Sequence, residues 1–295
     1  MPSTLAIMNA QSVLSRDIID TLGDLEDTDW IGELRLFGEP DDSFIRFRGS
    51  DHYIQAWSEA GFRGVGVALC AGAREVDGGA VAVGVASTPD PEIPVVLCEL
   101  NAADVDEHRG TVHVPTGAAA AVALIARALR PVSRITGTLL QPASSLGPKA
   151  MEELYGQTVA LLNHRPLVTT AIGDRLAFNV LPARTGLAGL EALLDTPTSV
   201  SGLLVPVFGG TTLSLALETT SDNADVVRKA LEASPRITVS DDVQPASAVG
   251  IEDVRVQVLD CGNGLVQLVA VVDEVRRESV SMLDVAREII TRNAF

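Results

Sequence analysis

The residues best able to do chemistry in this sequence are few and widely spaced. Thiolates and imidazoles are common nucleophiles, proton carriers and metal ligands in proteins. The cysteines are Cys70, Cys98 and Cys261, and the histidines are His52, His108, His113 and His164. None of these falls at a metal-site spacing such as H-x-x-x-H, and three cysteines do not make the even count of a disulfide framework. We therefore expect no bound metal, no disulfide scaffold and a reducing, cytoplasmic setting.

Thr116 is a further candidate nucleophile because it lies in the turn Pro115-Thr116-Gly117, directly before an apolar helix. A hydroxyl group reacts poorly without an adjacent base. His113 is close in sequence, but strand alternation points its ring into the sheet or away from it. We expect Thr116 to cap the helix and His113 to have no catalytic role. The acidic group at 104–107 is interpreted as solvated surface, because it lacks the pattern of a calcium loop.

Composition restricts the class of protein. The chain has 295 residues, of which 46% are hydrophobic and 4% aromatic, and a formal net charge of −17. Its length suits two domains at roughly 100–200 residues per domain. A nucleic-acid backbone or an anionic membrane would repel such a chain, and no apolar run reaches the ~18 residues of a membrane span. We predict a folded protein that has neither nucleic acid nor membrane as a partner.

The elements that must position any site alternate along the first half of the chain. Apolar strand candidates are predicted at 5–8, 33–37, 64–69, 80–86 and 94–97, and a helix follows the first of them with Val13, Ile18 and Leu22 on one face. This alternation predicts a mainly parallel sheet of the Rossmann-like α/β type. The apolar run after Gly117 predicts a helix that ends before Pro131.

The second half mixes strands and helices in the manner of an α+β domain. Strands are predicted at 134–140, 202–208 and 213–218, and a helix at 223–233 with Ser221 or Asp222 as its N-cap. Two alternating runs, 254–259 and 265–272, flank the turn signal Asn263-Gly264 and predict a hairpin. A helix from 275 to 292 closes the chain. We place one domain at 1–116 plus 273–295 and the other at 117–272.

The segment from Gln141 to Pro182 is the most distinctive part of the chain. Pro148 suits a first helical position, and apolar residues from Met151 to Leu162 recur at helical spacing. The segment resembles the start of the dimerisation domain of the aspartate-semialdehyde dehydrogenase family, which has a Q-x-V-S-G-x-G turn, an E-L-x-x-Q-T helix and an A-F-N-x-x-P strand. The S-S-L-G turn and the L-L-N-H-R-P ending are most similar to the divergent Usg branch of that family.

The resemblance implies an enzyme that reduces an acyl phosphate with NADPH through a cysteine thioester, yet the family's reactive residues are replaced here. The family's P-N-C-[ST] turn corresponds to Pro115 to Ala118, so that Thr116 and Gly117 occupy the asparagine and thiol positions. The catalytic histidine position is Thr211, and the position of the arginine that binds the substrate carboxylate is Leu204. Of the family's functional positions, Gln141 matches the glutamine that orients the thioacyl intermediate, although a strand-end amide satisfied by backbone is the more conservative interpretation.

The nucleotide site implied by the resemblance is also altered. Asn9, Ser12 and Ser15 occupy the glycine positions of the family's G-x-x-G-x-x-G turn, where added side chains crowd a pyrophosphate. Arg276 is either a remnant of an anion site or a partner in an ion pair that spans the domains. Glu278 stands where the family has a glycine facing the nicotinamide, and its carboxylate would repel an anionic cofactor.

Three functions follow from this reading. The first is a catalytically inactive homologue without a cofactor, which forms a homodimer through 117–272 and acts in assembly or regulation, with an active paralogue as a further possible partner. The second is a divergent NADP-dependent oxidoreductase of amino-acid biosynthesis that uses Gln141, Thr116, Thr211 and Arg276. The third is a protein that binds a small metabolite in the altered cleft, where Leu204 favours a less anionic ligand.

Overall fold

The structure is a computed structural model that describes residues 3–40, 44–70, 79–87, 90–183 and 186–292. The strands are β1 (Ser3–Met8), β2 (Ile31–Phe37), β3 (Phe44–Phe47), β4 (Ser50–Gln55), β5 (Val65–Cys70), β6 (Val81–Val85), β7 (Thr111–Val114), β8 (Val132–Gln141), β9 (Leu181–Ala183), β10 (Thr198–Leu204), β11 (Thr211–Thr219), β12 (Ile237–Val239), β13 (Val254–Gly262) and β14 (Leu265–Val272). The helices are α1 (Val13–Asp24), α2 (Glu59–Phe62), α3 (Cys98–Asn101), α4 (Gly117–Ala128), α5 (Pro148–Leu162), α6 (Leu190–Leu193), α7 (Ala224–Glu232), α8 (Pro245–Ala248) and α9 (Glu274–Arg292). Within these residues, no helix combines the length and the hydropathy that crossing a membrane requires.

The chain forms two compact units. One comprises Met1–Thr116, Ala188–Leu193 and Val275–Phe295, and the other comprises Gly117–Leu187 and Leu194–Glu274. The short segment 188–193 thus belongs to the first unit, although it lies in the middle of the second unit's sequence. Sequence periodicity gave no signal for this excursion, because six residues are too few to show a pattern.

The first unit is built on a sheet with the strand order β3-β4-β2-β1-β5-β6-β7. All neighbouring strands are parallel except the β3–β4 hairpin. Both faces are covered: Leu5 and Ile7 of β1 join a core with Ile18 of α1 and Ile289 of α9, and Ala6 faces a second cluster around Phe62. Burial on both faces explains why the strands are continuous apolar runs. The mainly parallel Rossmann-like sheet predicted from the sequence is confirmed.

The second unit contains a mixed sheet with the order β12-β13-β14-β11-β8-β10-β9. Its pairs are antiparallel except β8–β10 and β12–β13, which are parallel. Helix α4 packs against β11 and β14, and its residues from Gly117 to Ala126 are all buried. Because α4 is apolar on every side, it suits a fully buried position. The α+β character of this region is confirmed.

Two tight hairpins depend on left-handed backbone. The predicted turn between β13 and β14 consists of Asn263 and Gly264, with φ values of 53° and 74°. These positive values match the twist of the flanking strands. The hairpin between β3 and β4 also turns through two residues with left-handed backbone, Arg48 and Gly49, with φ values of 50° and 77°. This second hairpin is not predicted from the sequence, because Arg-Gly is a weaker turn signal than Asn-Gly.

Two predicted strands are wrong. The stretch 94–97 contributes an isolated bridge from Val95 to His113 rather than a strand. The Asn101 side chain accepts a hydrogen bond from the amide of Leu97 at 2.8 Å and donates to the carbonyl of Val95 at 2.9 Å. These contacts occupy backbone groups that a strand would use and turn the chain into α3. The A-F-N stretch at 177–179 is likewise not a strand, and β9 begins at Leu181.

Helix ends follow local chemistry. Helix α7 has Asn223 as its N-cap, and the Asn223 side chain accepts hydrogen bonds from the amides of Asp225 and Val226. The predicted caps, Ser221 and Asp222, are therefore wrong by one or two residues. Asn, Asp and Ser compete almost equally for this position, so sequence alone did not separate them.

Candidate functional site

The position of the family's thiol, Gly117, is closely covered by backbone. Gly117 is the first residue of α4, and a Cβ built on it would lie 2.5 Å from Cα of Glu274 and 2.7 Å from the Glu274 carbonyl oxygen. Real Cβ atoms essentially never approach so closely, and here the neighbouring atoms are main chain and cannot rotate away. A cysteine at this position would require the main chain of Glu274 to move.

Thr211, which the family resemblance assigns to the position of the catalytic histidine, is held by the same glutamate. The Thr211 hydroxyl donates a short hydrogen bond to the Glu274 carboxylate, and Thr211 is buried. Burial raises the pKa of the Glu274 carboxyl group, the hydrogen bond from Thr211 opposes that effect, and the charge of Asp273 adds to it. The pair presents no imidazole for hydride chemistry.

Gln141 reaches the same region from the end of β8. A Cβ on Gly186 would lie 2.9 Å from Nε2 of Gln141 and 3.8 Å from a carboxylate oxygen of Glu274. The side chains of Gln141 and Glu274 therefore both approach Gly186. The structure thus brings three sequence-predicted positions, Gly117, Gln141 and Thr211, together around Glu274.

Leu204, at the position of the family's arginine, belongs to an apolar cluster. It is 5% exposed and packs in one cluster with Ala143, Leu154, Leu176 and Ala177. Its strand partner in β8 is Gln141, so the backbone lies beside the site. The side chain nevertheless contributes to the core, and no charged group could replace it there without a partner.

Helix α1 begins where a dinucleotide's pyrophosphate would require glycine. Asn9 adopts a left-handed backbone with φ 52°. The Ser12 side chain caps the helix by accepting a hydrogen bond from the Ser15 amide at 3.1 Å. The hydroxyl of Ser15 in turn donates to the Met8 carbonyl at 2.9 Å. An amide at the helix start is thus satisfied by a side chain within the chain itself.

Arg276 and Glu278 lie on the first turns of α9. Arg276 forms an ion pair with Asp17 of α1 at 3.2 Å and donates a hydrogen bond to the hydroxyl of Thr21. Arg276 and Asp17 both belong to the first unit, so this ion pair lies within one unit. Glu278 is partly buried on the same helix.

The environments of two cysteine thiols disfavour the reactive thiolate. Burial raises the pKa of the Cys98 thiol, and the nearby carboxylates of Asp284 and Glu99 raise it further. Desolvation also raises the pKa of Cys261, whose thiol lies 3.5 Å from the Ser221 carbonyl. Thr116 donates its backbone amide to the Ala188 carbonyl at 3.2 Å. Among the residues that the structure describes, no cluster of histidine, cysteine and acidic side chains is arranged to hold a metal ion.

The E-L-x-x-Q-T signature of α5 has a structural role. Glu153 accepts hydrogen bonds from the amides of Ala171 and Ile172 at 2.7 and 3.0 Å. Gln157 is 1% exposed, and its amide group bonds the loop that follows the helix. The carbonyls of Val168 and Asp174 accept from this amide, and the amides of Leu176 and Ala177 donate to it. The motif therefore anchors residues 168–177, which explains why the A-F-N stretch is a turn.

The buried face of α5 differs from the predicted one. The buried residues are Ala150, Glu153, Leu154 and Gln157, whereas Tyr155 is 65% exposed and Leu162 is 70% exposed. Apolar periodicity predicted that Tyr155 and Leu162 are buried. In the structure the polar residues Glu153 and Gln157 of the signature are buried instead. Apolar side chains are left on the surface of the second unit as a result.

Glu274 is the site residue that sequence reasoning missed. It stands in Asp273-Glu274-Val275-Arg276-Arg277, where the family motif reads D-N-L-R-K. A carboxylate in place of an amide was the available signal, because it adds a titratable group beside the thiol position. Its contact with Gly117 depends on two segments distant in sequence, which periodicity does not relate.

Comparison with known proteins identifies the relatives of this arrangement. Residues 122–277, just over half of the chain, match the family model "Semialdehyde dehydrogenase, dimerisation domain". The aspartate-semialdehyde dehydrogenase of Bacillus subtilis is 26% identical, over 88% of this chain and 89% of that protein. A USG-1 protein homolog of Azotobacter vinelandii is 29% identical, over 78% of each chain. These matches confirm the resemblance inferred from the sequence.

Solved structures share the fold across the whole chain. Aspartate semialdehyde dehydrogenase II from Vibrio cholerae superimposes with a TM-score of 0.88 at 23% identity, over 100% of both chains. An aspartate semialdehyde dehydrogenase with NADP from Candida albicans gives a TM-score of 0.68 at 13% identity, again over 100% of both chains. At these identities the likeness establishes the fold.

Proposed function

Since the chain belongs to the semialdehyde dehydrogenase family and is similar to its Usg branch, we propose that it is a catalytically inactive member that works as a homodimeric assembly or regulatory protein. The contact between Gly117 and Glu274 carries this proposal. It leaves no space for a side chain at the thiol position, where a Cβ would lie 2.5 Å from main-chain carbon. The thiohemiacetal and thioester that the family resemblance implies need a thiolate at this position.

The other functional positions support the same conclusion. Thr211 and Leu204 stand in place of the proton carrier and the carboxylate-binding arginine, and neither side chain can take over that role. Ser12 and Ser15 form hydrogen bonds among themselves and with Met8 at the start of α1. We therefore expect neither turnover nor tight binding of NADP.

Self-association is supported by the surface of the second unit. Tyr155, Val159 and Leu162 follow one another at helical spacing on the outer face of α5 and are 65%, 36% and 70% exposed. A groove of about 770 Å³ between this helix and the following loop includes Tyr155, Val159 and Val168 in its lining. A second copy would cover apolar side chains that are otherwise left in water. A heteromer with an active paralogue would use the same surface.

The decisive experiment measures cofactor binding and turnover on the full-length protein. NADPH fluorescence is titrated against the chain and, as a positive control, against the Bacillus subtilis relative. Phosphate-dependent oxidation of aspartate semialdehyde with NADP is then followed by absorbance. We expect no saturable binding between about 1 μM and 1 mM and no turnover above the blank. Saturable binding in that range, or turnover that Gln141→Ala abolishes, would support the divergent oxidoreductase instead.

A further inference from the structure

A cavity of about 390 Å³ lies within the first unit, between the end of β7 and the segment that carries α6. Gly189, in this segment, is buried and has φ 87°. A Cβ on Gly189 would lie 3.1 Å from both Cα of Pro115 and Cγ1 of Val95, so the segment packs closely against these two residues. Such contact requires glycine for both its backbone conformation and its size. The cavity is large enough for a small metabolite.

His113 of β7 contributes a buried polar group to this cavity. The residue is 7% exposed, and its backbone is fixed because its amide donates to the Pro94 carbonyl at 2.9 Å and its carbonyl accepts from Val96 at 2.7 Å. The residue lines the cavity, and no hydrogen bond joins its ring to another residue that the structure describes. Desolvation lowers the pKa of His113, although the charge of Asp90 opposes this effect. A neutral imidazole offers one nitrogen as a hydrogen-bond acceptor.

The remaining polar lining is acidic. Asp90, Asp104, Glu107 and Glu191 all line the cavity, and no lysine or arginine lies among its described lining residues. Asp104 is held in place by a hydrogen bond of 2.8 Å from Nδ2 of Asn101. Ile93, Val95 and Ala192 add apolar surface between these groups. The negative potential of the four carboxylates favours a cationic ligand and disfavours an anion. The apolar residues between them suit a ligand with a short alkyl chain.

We propose that this cavity binds a small organic cation, namely a primary ammonium group on a short alkyl stem. An ammonium N–H donates to the free ring nitrogen of His113, and the carboxylates neutralise its charge. A bare metal ion suits the cavity less well, because the described residues contain no group of three ligands placed to coordinate one. The proposal does not depend on whether the chain is catalytically active or dimeric.

The test is calorimetric titration of the full-length protein with 1,4-diaminobutane at low ionic strength, with inorganic phosphate as the anionic counterpart. We expect saturable binding of the diamine with a Kd below about 1 mM and no binding of phosphate. His113→Leu removes the acceptor and Glu191→Gln removes a charge at the exposed rim, so each is expected to raise Kd about tenfold. Glu92→Gln is the matched control, because Glu92 is exposed and lies between the lining residues Pro91 and Ile93 without lining the cavity itself. The Kd of this variant for the diamine should equal that of the wild type.

Several results would overturn the proposal. Absence of diamine binding to the folded wild type contradicts it directly. Equal binding by the wild type and Glu191→Gln would show that the diamine is only a counterion of the acidic surface. Stronger binding of phosphate than of diamine would contradict the assigned charge. Glu191 is exposed, so this variant keeps the test valid if His113→Leu fails to fold.

Discussion

The main chain of Glu274 covers the Cα of Gly117 so closely that a Cβ at residue 117 would meet Cα of Glu274 at 2.5 Å. This contact fixes the start of α4 against Glu274, and both residues belong to the second unit. It makes residue 117 a packing position, at which side-chain size governs stability.

Gly117→Ala should therefore destabilise the protein. The added methyl group forces backbone to move, and overpacking of this kind costs about 1–3 kcal/mol. Gly156→Ala is the matched control, since Gly156 lies within α5 and a Cβ there meets nothing within 4 Å. The control should gain up to about 1 kcal/mol from helix propensity. Urea denaturation measures both, and equal stability of the two variants would contradict the close contact.

The buried carboxyl of Glu274 predicts a pH-dependent stability. Its pKa in the folded state is raised above the ordinary value of 4.5, so the folded protein binds a proton more tightly than the unfolded chain. The contribution of Glu274 to the free energy of unfolding is thus greatest below about pH 4.5, and it is lost as pH rises through the folded-state pKa. Glu274→Gln keeps an acceptor for Thr211 and removes the titration.

The variant Glu274→Gln should accordingly exceed the wild type in free energy of unfolding at pH 8, and the difference should shrink towards pH 4. Urea denaturation at a series of pH values gives this comparison. Glu232→Gln provides a control, because Glu232 is exposed on α7. A wild-type profile parallel to that of Glu274→Gln over the whole range would show that Glu274 does not titrate anomalously.

The sequence predicted the layers of the fold well, since both units depend on periodic apolar residues. Leu5, Ala6 and Ile7 are buried in alternate clusters on the two faces of their sheet, as a continuous apolar strand requires. The failures occur where a polar side chain binds backbone. Asn101 holds backbone groups of 95–97 that a strand would have paired, and Gln157 holds the loop after α5, so that the A-F-N stretch forms a turn.

The sequence alone located the residues that differ from the family motif at the candidate site. It did not predict how these residues are arranged in space. Reading Gly117 and Thr211 against the family motif located the altered positions. Their convergence on Glu274 required the fold, because the contacts join segments more than 60 residues apart. The acidic residues at Asp104 and Glu107 were interpreted as solvated surface, although both line a cavity with His113. The excursion of 188–193, which carries no periodic signal, supplies further lining residues to the same cavity.

Gln157 predicts a second stability effect, in the second unit. Its side chain satisfies four backbone groups of residues 168–177 while almost wholly buried. Gln157→Ala leaves those groups without their partner and should cost about 2–5 kcal/mol. Glu152→Ala on the same helix is the control, because Glu152 is exposed. Urea denaturation and limited proteolysis should both identify Gln157→Ala as weakened, with cleavage concentrated in the anchored loop; wild-type resistance would contradict the anchoring role.

The exposed face of α5 predicts the oligomeric state. If Tyr155 and Leu162 contact a second copy, a charge placed among them would be desolvated without a partner and would separate the subunits. Sedimentation equilibrium should give about twice 31.0 kDa for the wild type and about 31.0 kDa for Tyr155→Asp or Leu162→Asp. Val226→Asp controls for surface charge, because Val226 is 56% exposed on α7 and should leave the dimer intact. A monomeric wild type, or dimers that persist in both α5 variants and dissociate in Val226→Asp, would place the pairing surface elsewhere.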